Sequence, residues 1–278
     1  MKRILALIVA LTLISMIVGC VRKEPLVLPE APEVGIFKPV TRPGTKAFRG
    51  GEKLTFLVKF WIIPAGQVTM EVREMKYRGY EVYSPLLTMK AAKFFSFFVP
   101  AEGNIRSYLD ALRLYTHRYE EHFIAGRHTY ERLTVYDQRN RLATYDVPVK
   151  DRMGKIKRIK KKRVRIPSNT QDMLSAFYYI RTQELKEGKI LTIHANERRK
   201  NYQIKIKVLG KEKVTVPAGT FLAWVIEPIS IQRLGKKKVR ETGTGLIYLS
   251  ADERKLLVLM KAKTKLGSVS VQLIDVQL

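Results

Sequence analysis

Cysteine is almost missing from this chain: Cys20 is the single one in 278 residues. That excludes an intramolecular disulfide and any metal site built from several thiolates, so the fold must be held by its core alone. Histidine is scarce too. His117, His122, His128 and His194 are the four, and none has ligand-like spacing from another. On a strand, positions 117 and 122 differ by an odd number and face opposite ways. A grouping of Glu120, Glu121, His122 and His128 is conceivable, but scattered surface histidines explain the spacing better, so no metal and no cofactor is expected. Acidic residues are few, 25 against 52 Lys and Arg, giving a formal charge of +27. Catalytic signatures are missing as well. The chain has no Gly-x-Ser-x-Gly elbow, no phosphate-cradling Gly-Lys-Ser/Thr loop and no His-Glu-x-x-His helix. No nucleophile stands beside an obvious base, and the expectation is a protein that is not an enzyme.

What is present begins at the N-terminus. Met1-Lys2-Arg3 is followed by an apolar run from Ile4 to Val18, interrupted only by Thr12 and Ser15, and then by Gly19-Cys20. The run is shorter than the roughly 20 apolar residues that a spanning helix needs, and it stops at a small residue. This is the layout of a secretory signal over residues 1–19. Ile17-Val18-Gly19-Cys20 resembles a lipobox, which makes Cys20 the lipidation site and the first residue of the mature chain. Val21, where an aspartate would favour retention at the inner membrane, points to the periplasmic face of the outer membrane in a two-membrane cell.

Lys2 and Arg3 leave with the signal, so the charge falls by two, from +27 to +25. Such a charge attracts polyanions over a screening length of about 8 Å at physiological salt. Outside the cytoplasm these are anionic lipid head groups and envelope polymers, so nucleic acid is not an expected partner. Residues 20–50 hold Pro25, Pro29, Pro32, Pro39 and Pro43 and keep neither a period of 2 nor one of 3.6. They read as a tether, which at about 3.1 Å per residue reaches roughly 90 Å.

From residue 51 to 278 the pattern is that of one β-rich domain. Leu54, Phe56, Val58 and Phe60 alternate with Lys53, Thr55, Leu57 and Lys59, and Val68, Met70 and Val72 with Gln67, Thr69, Glu71 and Arg73. Between the two runs, Ile63-Pro64-Ala65-Gly66 predicts the turn of a hairpin, and Pro217-Ala218-Gly219 predicts a second one. Further strands are predicted at 104–118, 129–137, 189–195, 201–209, 237–249, 254–263 and 268–277. The fold class is mainly β: a curved, largely antiparallel sheet or half-barrel of about ten strands. One amphipathic helix, about residues 169–186, is predicted from Met173, Leu174, Phe177, Tyr178, Ile180 and Leu185. Ser168, Asn169 or Thr170 would cap it, and Gly188 follows as a stop. With no second helix to receive it, its apolar side must lie on the sheet. Asp172 would then sit in the first turn, where the helix dipole favours a carboxylate, and Asp252 reads as turn chemistry between Ser250 and Arg254.

Several separated blocks resemble the bacterial domain of unknown function 3108 family. They are residues 51–56 (Gly-Glu-Lys-Leu-Thr-Phe) with Pro64-Ala65-Gly66 downstream, and Ile166-Pro167 with the run 172–181 that starts at Asp172 and ends at Arg181. Val216-Pro217-Ala218-Gly219-Thr220-Phe221 follows, and then residues 243–250 with Asp252 and Arg254. The resemblance implies an exported β-rich domain, with a curved sheet partly wrapped round a helix, and carries no catalytic residues.

Two segments stand out as candidate binding surfaces. In residues 150–165, ten of sixteen are Lys or Arg and only Asp151 is acidic. Lys155, Lys157, Arg158, Lys160, Lys161, Lys162, Arg163 and Arg165 are the candidate anion-binding residues of this basic insertion, against the alternative of a merely solubilising hairpin or loop. The aromatic group Phe94, Phe95, Phe97 and Phe98 either lips an apolar-ligand site, dips into a bilayer interface or fills the concave face of the sheet, the commoner use of such residues. The functional expectation is a membrane-anchored envelope lipoprotein that binds an amphiphilic or lipid ligand or serves as an assembly scaffold. The alternative is an envelope hydrolase with a carboxylate pair drawn from Asp110, Glu120, Asp137 and Asp146.

Overall fold

A computed structural model describes residues 47–95, 102–125, 128–150, 156–233, 239–241, 245–264 and 267–278. The signal, Cys20 and most of the tether lie outside the described residues. The first eight strands are β1 (Lys53–Phe60), β2 (Ile63–Tyr77), β3 (Tyr80–Ala91), β4 (Glu102–Asp110), β5 (Thr116–Ala125), β6 (His128–Asp137), β7 (Leu142–Lys150) and β8 (Ile156–Arg165). The helix α1 (Met173–Thr182) follows, then β9 (Ile190–Glu197), β10 (Lys200–Val216), β11 (Gly219–Arg233), β12 (Val239–Glu241), β13 (Gly245–Ser250), β14 (Leu257–Thr264) and β15 (Gly267–Gln277). All strands join one sheet in the order β8-β7-β6-β5-β4-β3-β2-β1-β15-β14-β13-β11-β10-β9, with β12 beside β11. Every ladder is antiparallel, as alternating faces require.

The class is as expected, and among the described residues the sheet has fifteen strands where about ten were expected. The segment 104–118 splits into β4 and β5, because Asp110 accepts the amides of Leu112 and Arg113 and Leu114 takes a φ of 55°, turning the chain back. Conversely, residues 201–209 and 213–216 form a single strand, β10, that runs through a bulge at Gly210 (φ 141°). β8 carries basic side chains along both faces and gives no alternating signal to read.

The two Pro-Ala-Gly sequences behave differently. Pro217 and Ala218 do form a tight turn, with Val216 paired to Gly219. Pro64, Ala65 and Gly66 instead lie inside β2, and the hairpin turns earlier, at Trp61 (φ 57°) and Ile62. Pro64 has no amide to give the ladder and stands at a register shift opposite Lys59. Gly66 is needed for a close approach, since a Cβ there would stand 2.5 Å from the Lys90 carbonyl oxygen.

The helix is shorter than predicted and starts later. Asn169 adopts φ 53° and Gln171 forms a bridge to Ala195 of β9, so neither is helical. Asp172 is itself the N-cap. Its carboxylate accepts the amides of Leu174 and Ser175, and the Ser175 hydroxyl oxygen in turn accepts the Asp172 amide. Leu174, Ser175, Ala176, Phe177, Tyr178, Ile180 and Arg181 are all buried, which leaves little of the helix for solvent.

The helix packs against β3, β4 and β9, strands far apart in the sheet order, so the sheet curls round it. Its far ends are joined by side chains and by the residues leading into α1. The Gln171 amide donates to the His194 carbonyl at 2.9 Å, and the Asn196 amide to the Gln171 carbonyl at 2.8 Å. The hydroxyls of Tyr136 on β6 and Tyr145 on β7 meet the Asn196 side chain, and the Asn201 amide group reaches the Arg165 carbonyl at 2.6 Å. One contiguous apolar core runs from Phe48 through the sheet and helix to Leu273. A smaller cluster of Met75, Tyr77, Val82 and Tyr108 stands apart from it.

Candidate functional site

Asp172 and Glu121 are buried in the interior, with the half-buried Glu197 near Glu121, a set that sequence reasoning did not single out as a group. Asp172 is fully buried, and its Oδ2 accepts the hydroxyls of Ser107 and, at 2.8 Å, of Thr116. Burial pushes its carboxyl above the ordinary range, although these hydroxyls and the Ser175 amide oppose that shift. Glu121 on β5 accepts the Tyr119 hydroxyl at 2.8 Å and the Arg132 guanidinium. Glu197 is raised mainly by burial, and its neighbours Arg198 and Arg132 pull it back while Glu121 adds to the rise. The phenols of Tyr119 and Tyr136 are pushed far above their usual value by burial and by nearby carboxylates, and that of Tyr145 rises to about 12, chiefly through burial. The hydrogen-bonding groups of Asp172 and Glu121 are spent on internal partners, which is how a network built to join sheet and helix behaves.

The four carboxylates considered for hydrolysis are not brought together. Asp110 at the end of β4 bonds His117 Nε2 at 2.9 Å. Glu120 binds Arg118, Asp137 closes the β6–β7 turn by accepting from Asn140, and Asp146 stands opposite Lys161 in the β7–β8 ladder. His117 is a correction to the reading of scattered surface histidines. It is buried beside Asp110 because a register shift in β5, opposite Tyr108 and Leu109, turns it toward the rings of Tyr77, Tyr80 and Tyr115. Burial would raise Asp110, but the His117 hydrogen bond and the amides of Arg113 and Leu112 outweigh it and hold the carboxyl below the usual range. His122 bonds Glu131 at 3.0 Å. Among the described residues no group of three His, Cys, Asp or Glu is placed to hold a metal.

The basic segment is part of the sheet. Residues 156–165 are β8, the terminal strand, whose one described ladder is to β7. Lys160, Lys161, Lys162, Arg163 and Arg165 are exposed along it, the first four in consecutive positions that present charge on both faces. Lys155 lies outside the described residues, as do the side chains of Lys157 and Arg158.

Phe94, the first of the aromatic group, does not fill the concave face. The core already occupies that face with α1, and Phe94 is 67% exposed. Residues 92–95 leave β3 beyond the core and run along the start of β2, the Ala92 amide bonding the Ala65 carbonyl at 2.9 Å. Phe95 is half-buried, its ring 6.2 Å from Phe60 and 5.3 Å from Phe94, while Phe97 and Phe98 lie outside the described residues. Beside it the β1–β2 turn presents Trp61, Ile62 and Ile63 at 63%, 87% and 52% exposure, a cluster that the predicted Pro-Ala-Gly turn concealed.

The chain matches the family of proteins of unknown function DUF3108 over residues 55–274. No curated protein matches it. Among solved structures it is similar to a β-barrel-like protein of the domain of unknown function DUF1849 from Brucella abortus, at 8% identity and a TM-score of 0.52, covering 82% of this chain and 97% of that one. It also aligns with a candidate exported protein with a YmcC-like fold from Bacteroides fragilis, at 11% identity, a TM-score of 0.34, and 82% and 96% coverage. A candidate lipoprotein from Parabacteroides distasonis aligns at 12% identity, a TM-score of 0.35, and 82% and 95% coverage. The first of these likenesses supports the barrel-like fold.

Proposed function

We propose, starting from the fact that this chain belongs to the DUF3108 family of proteins of unknown function, that it is an exported lipoprotein held at an envelope membrane by acyl chains on Cys20. In this reading it works without catalysis, as a binding and scaffolding module for anionic envelope components. The observation that carries the reading is the comb of Lys160, Lys161, Lys162 and Arg163 on the terminal strand of the sheet. On a solvent-facing edge, four consecutive cations meet a polyanion from both faces, and each contributes about 1 kcal/mol near an anionic surface. The signal-like N-terminus, with Cys20 at its end, supports export, and Val21 favours the periplasmic face of the outer membrane in a two-membrane cell.

Two measurements test this. Cells grown with labelled palmitate should label the protein, and the Cys20→Ser variant should remain unlabelled. The acylated protein should elute from an immobilised polyanion at a salt concentration that falls markedly when Lys160, Lys161 and Lys162 are changed to Glu. An unlabelled protein, or an elution that the three substitutions leave unmoved, would sink the anchor or the anion-binding reading respectively.

A further inference from the structure

The β1–β2 turn, the residues after β3 and the start of β15 meet at one end of the sheet. There Trp61, Ile62, Ile63 and Phe94 point outward over the half-buried Phe60 and Phe95. Soluble domains rarely group several large apolar side chains at such exposure unless something covers them. Neighbouring strands also hold Trp61 in place: its amide bonds the Ser268 carbonyl at 2.8 Å, and its ring lies so close to Gly267 that a Cβ there would collide with it. The strand ends that carry the patch also carry Lys59, opposite Pro64, Lys263, opposite Ser268, Lys90 and Lys93, with Glu102 opposite Lys90 as a nearby acid.

We infer that this tip docks on the anionic bilayer to which the chain is tethered, with the Trp61 indole at the level of the head groups and Ile62 among the upper acyl carbons. An apolar cap of Trp, Ile and Phe ringed by Lys is the composition that partitions into a charged membrane interface. The inference rests on the lipoprotein reading for its choice of occupant. The tether permits the geometry. The chain enters the domain at Ala47, near the Lys53 end of β1, whereas Trp61 stands at the other end of that eight-residue strand. At about 3.3 Å per residue the strand is about 26 Å long. Residues 20–46, extended at about 3.1 Å per residue, reach about 80 Å. The domain can therefore lie with the tip against the same membrane that holds Cys20, and contact at both points restricts its orientation.

Trp61 supplies its own reporter. The chain has two tryptophans, and the other, Trp224, is half-buried on β11 with Lys211 Nζ 4.4 Å above its ring. In a Trp224→Phe variant of the full, cell-processed protein, emission comes from Trp61 alone. With vesicles of phosphatidylethanolamine and phosphatidylglycerol brominated on the upper acyl carbons, the Trp61 emission should shift to the blue and be quenched. Adding Ile62→Asp, at a position too exposed to disturb folding, together with Trp61→Phe should lower vesicle partitioning of the unacylated Cys20→Ser form by about a hundredfold, about 2.7 kcal/mol. Mass analysis of Cys20 in the cell-processed Trp224→Phe protein reports the anchor separately. A protein that is acylated and floats with the vesicles, yet keeps Trp61 unshifted and unquenched, overturns the docking tip and leaves the anchor standing. Protection of Trp61 by self-association in the absence of lipid overturns it as well, because the occupant is then a second copy.

Discussion

Arg181 on the last turn of the helix and Glu52, just ahead of β1, form a bidentate ion pair with N···O separations of 2.6 and 2.7 Å, across 129 positions of sequence. Neither touches solvent to any extent. The same guanidinium donates to the carbonyls of Ala47 at 2.6 Å and Arg254 at 3.0 Å, and it lies over the rings of Phe48 and Tyr178. One side chain thus ties together the place where the tether joins the domain, the first strand, the helix and the β13–β14 connection.

Because a buried pair is costly chiefly when broken, Arg181→Ala should destabilise the protein by about 3 to 5 kcal/mol, leaving Glu52 charged and unpartnered. The double change Arg181→Met with Glu52→Leu should cost clearly less. Urea unfolding of wild type, single and double variants measures both, and equal losses would show that the pair matters through packing alone.

Two buried aspartates should respond to pH in opposite directions. Asp110 is held below its ordinary value, so its stabilisation is complete above about pH 4 and is lost as pH falls through the depressed value. Asp172 is raised, so its contribution is complete below that pH and declines as pH rises through the raised value. Asp110→Asn should therefore flatten the acid limb of the stability profile, while Asp172→Asn should flatten the decline at higher pH. Unfolding midpoints collected from pH 3 to 8 distinguish the two, and an acid limb unchanged by Asp110→Asn would count against its pairing with His117.

The blocks that resembled the DUF3108 family explain much of what could be read in advance. Glu52, Asp172, Ser175, Arg181, Ser250 and Arg254 come from three separate blocks, yet three-dimensionally they form the capping box, the buried ion pair and the turn whose carbonyl Arg181 binds. Alternation revealed strands with one wet face, such as β1 and β10, because period 2 survives wherever solvent meets one side. It failed for β8, charged on both faces, and for the sheet's curl, which depends on Asn196, Tyr136 and Tyr145 meeting across the ends of the sheet. The apolar tip was hidden for another reason. A Pro-Ala-Gly signal drew the turn three residues downstream, although Trp61 accepts the positive φ that closes it.

Gly103 should tolerate no side chain. It faces Phe123 across the β4–β5 ladder, and a Cβ on it would strike that fully buried ring. Gly103→Ala should cost about 1 to 3 kcal/mol by overpacking. Adding Phe123→Leu should recover part of the loss, since the smaller side chain vacates the space. Thermal unfolding of the three variants checks the compensation, and strictly additive losses would refute it.

The basic comb on β8 has a second physical consequence, separable from any ligand. A terminal strand offers unpaired amides and carbonyls to another chain, and lysines along such an edge prevent the approach of a second copy by charge repulsion. Lys160, Lys161 and Lys162 stand opposite Val147, Asp146 and Tyr145. Replacing the three by Thr, a good strand former, should preserve the β7–β8 ladder while removing the repulsion. Sedimentation velocity should then show concentration-dependent dimers or larger species at physiological salt, where the parent chain should sediment as a monomer. The triple Glu variant keeps charge on the edge, so it should lose polyanion binding without associating. If the Thr variant stays monomeric and the Glu variant still binds polyanions, the cations on this strand neither guard the edge nor carry the binding, and the basic character of the chain must act elsewhere.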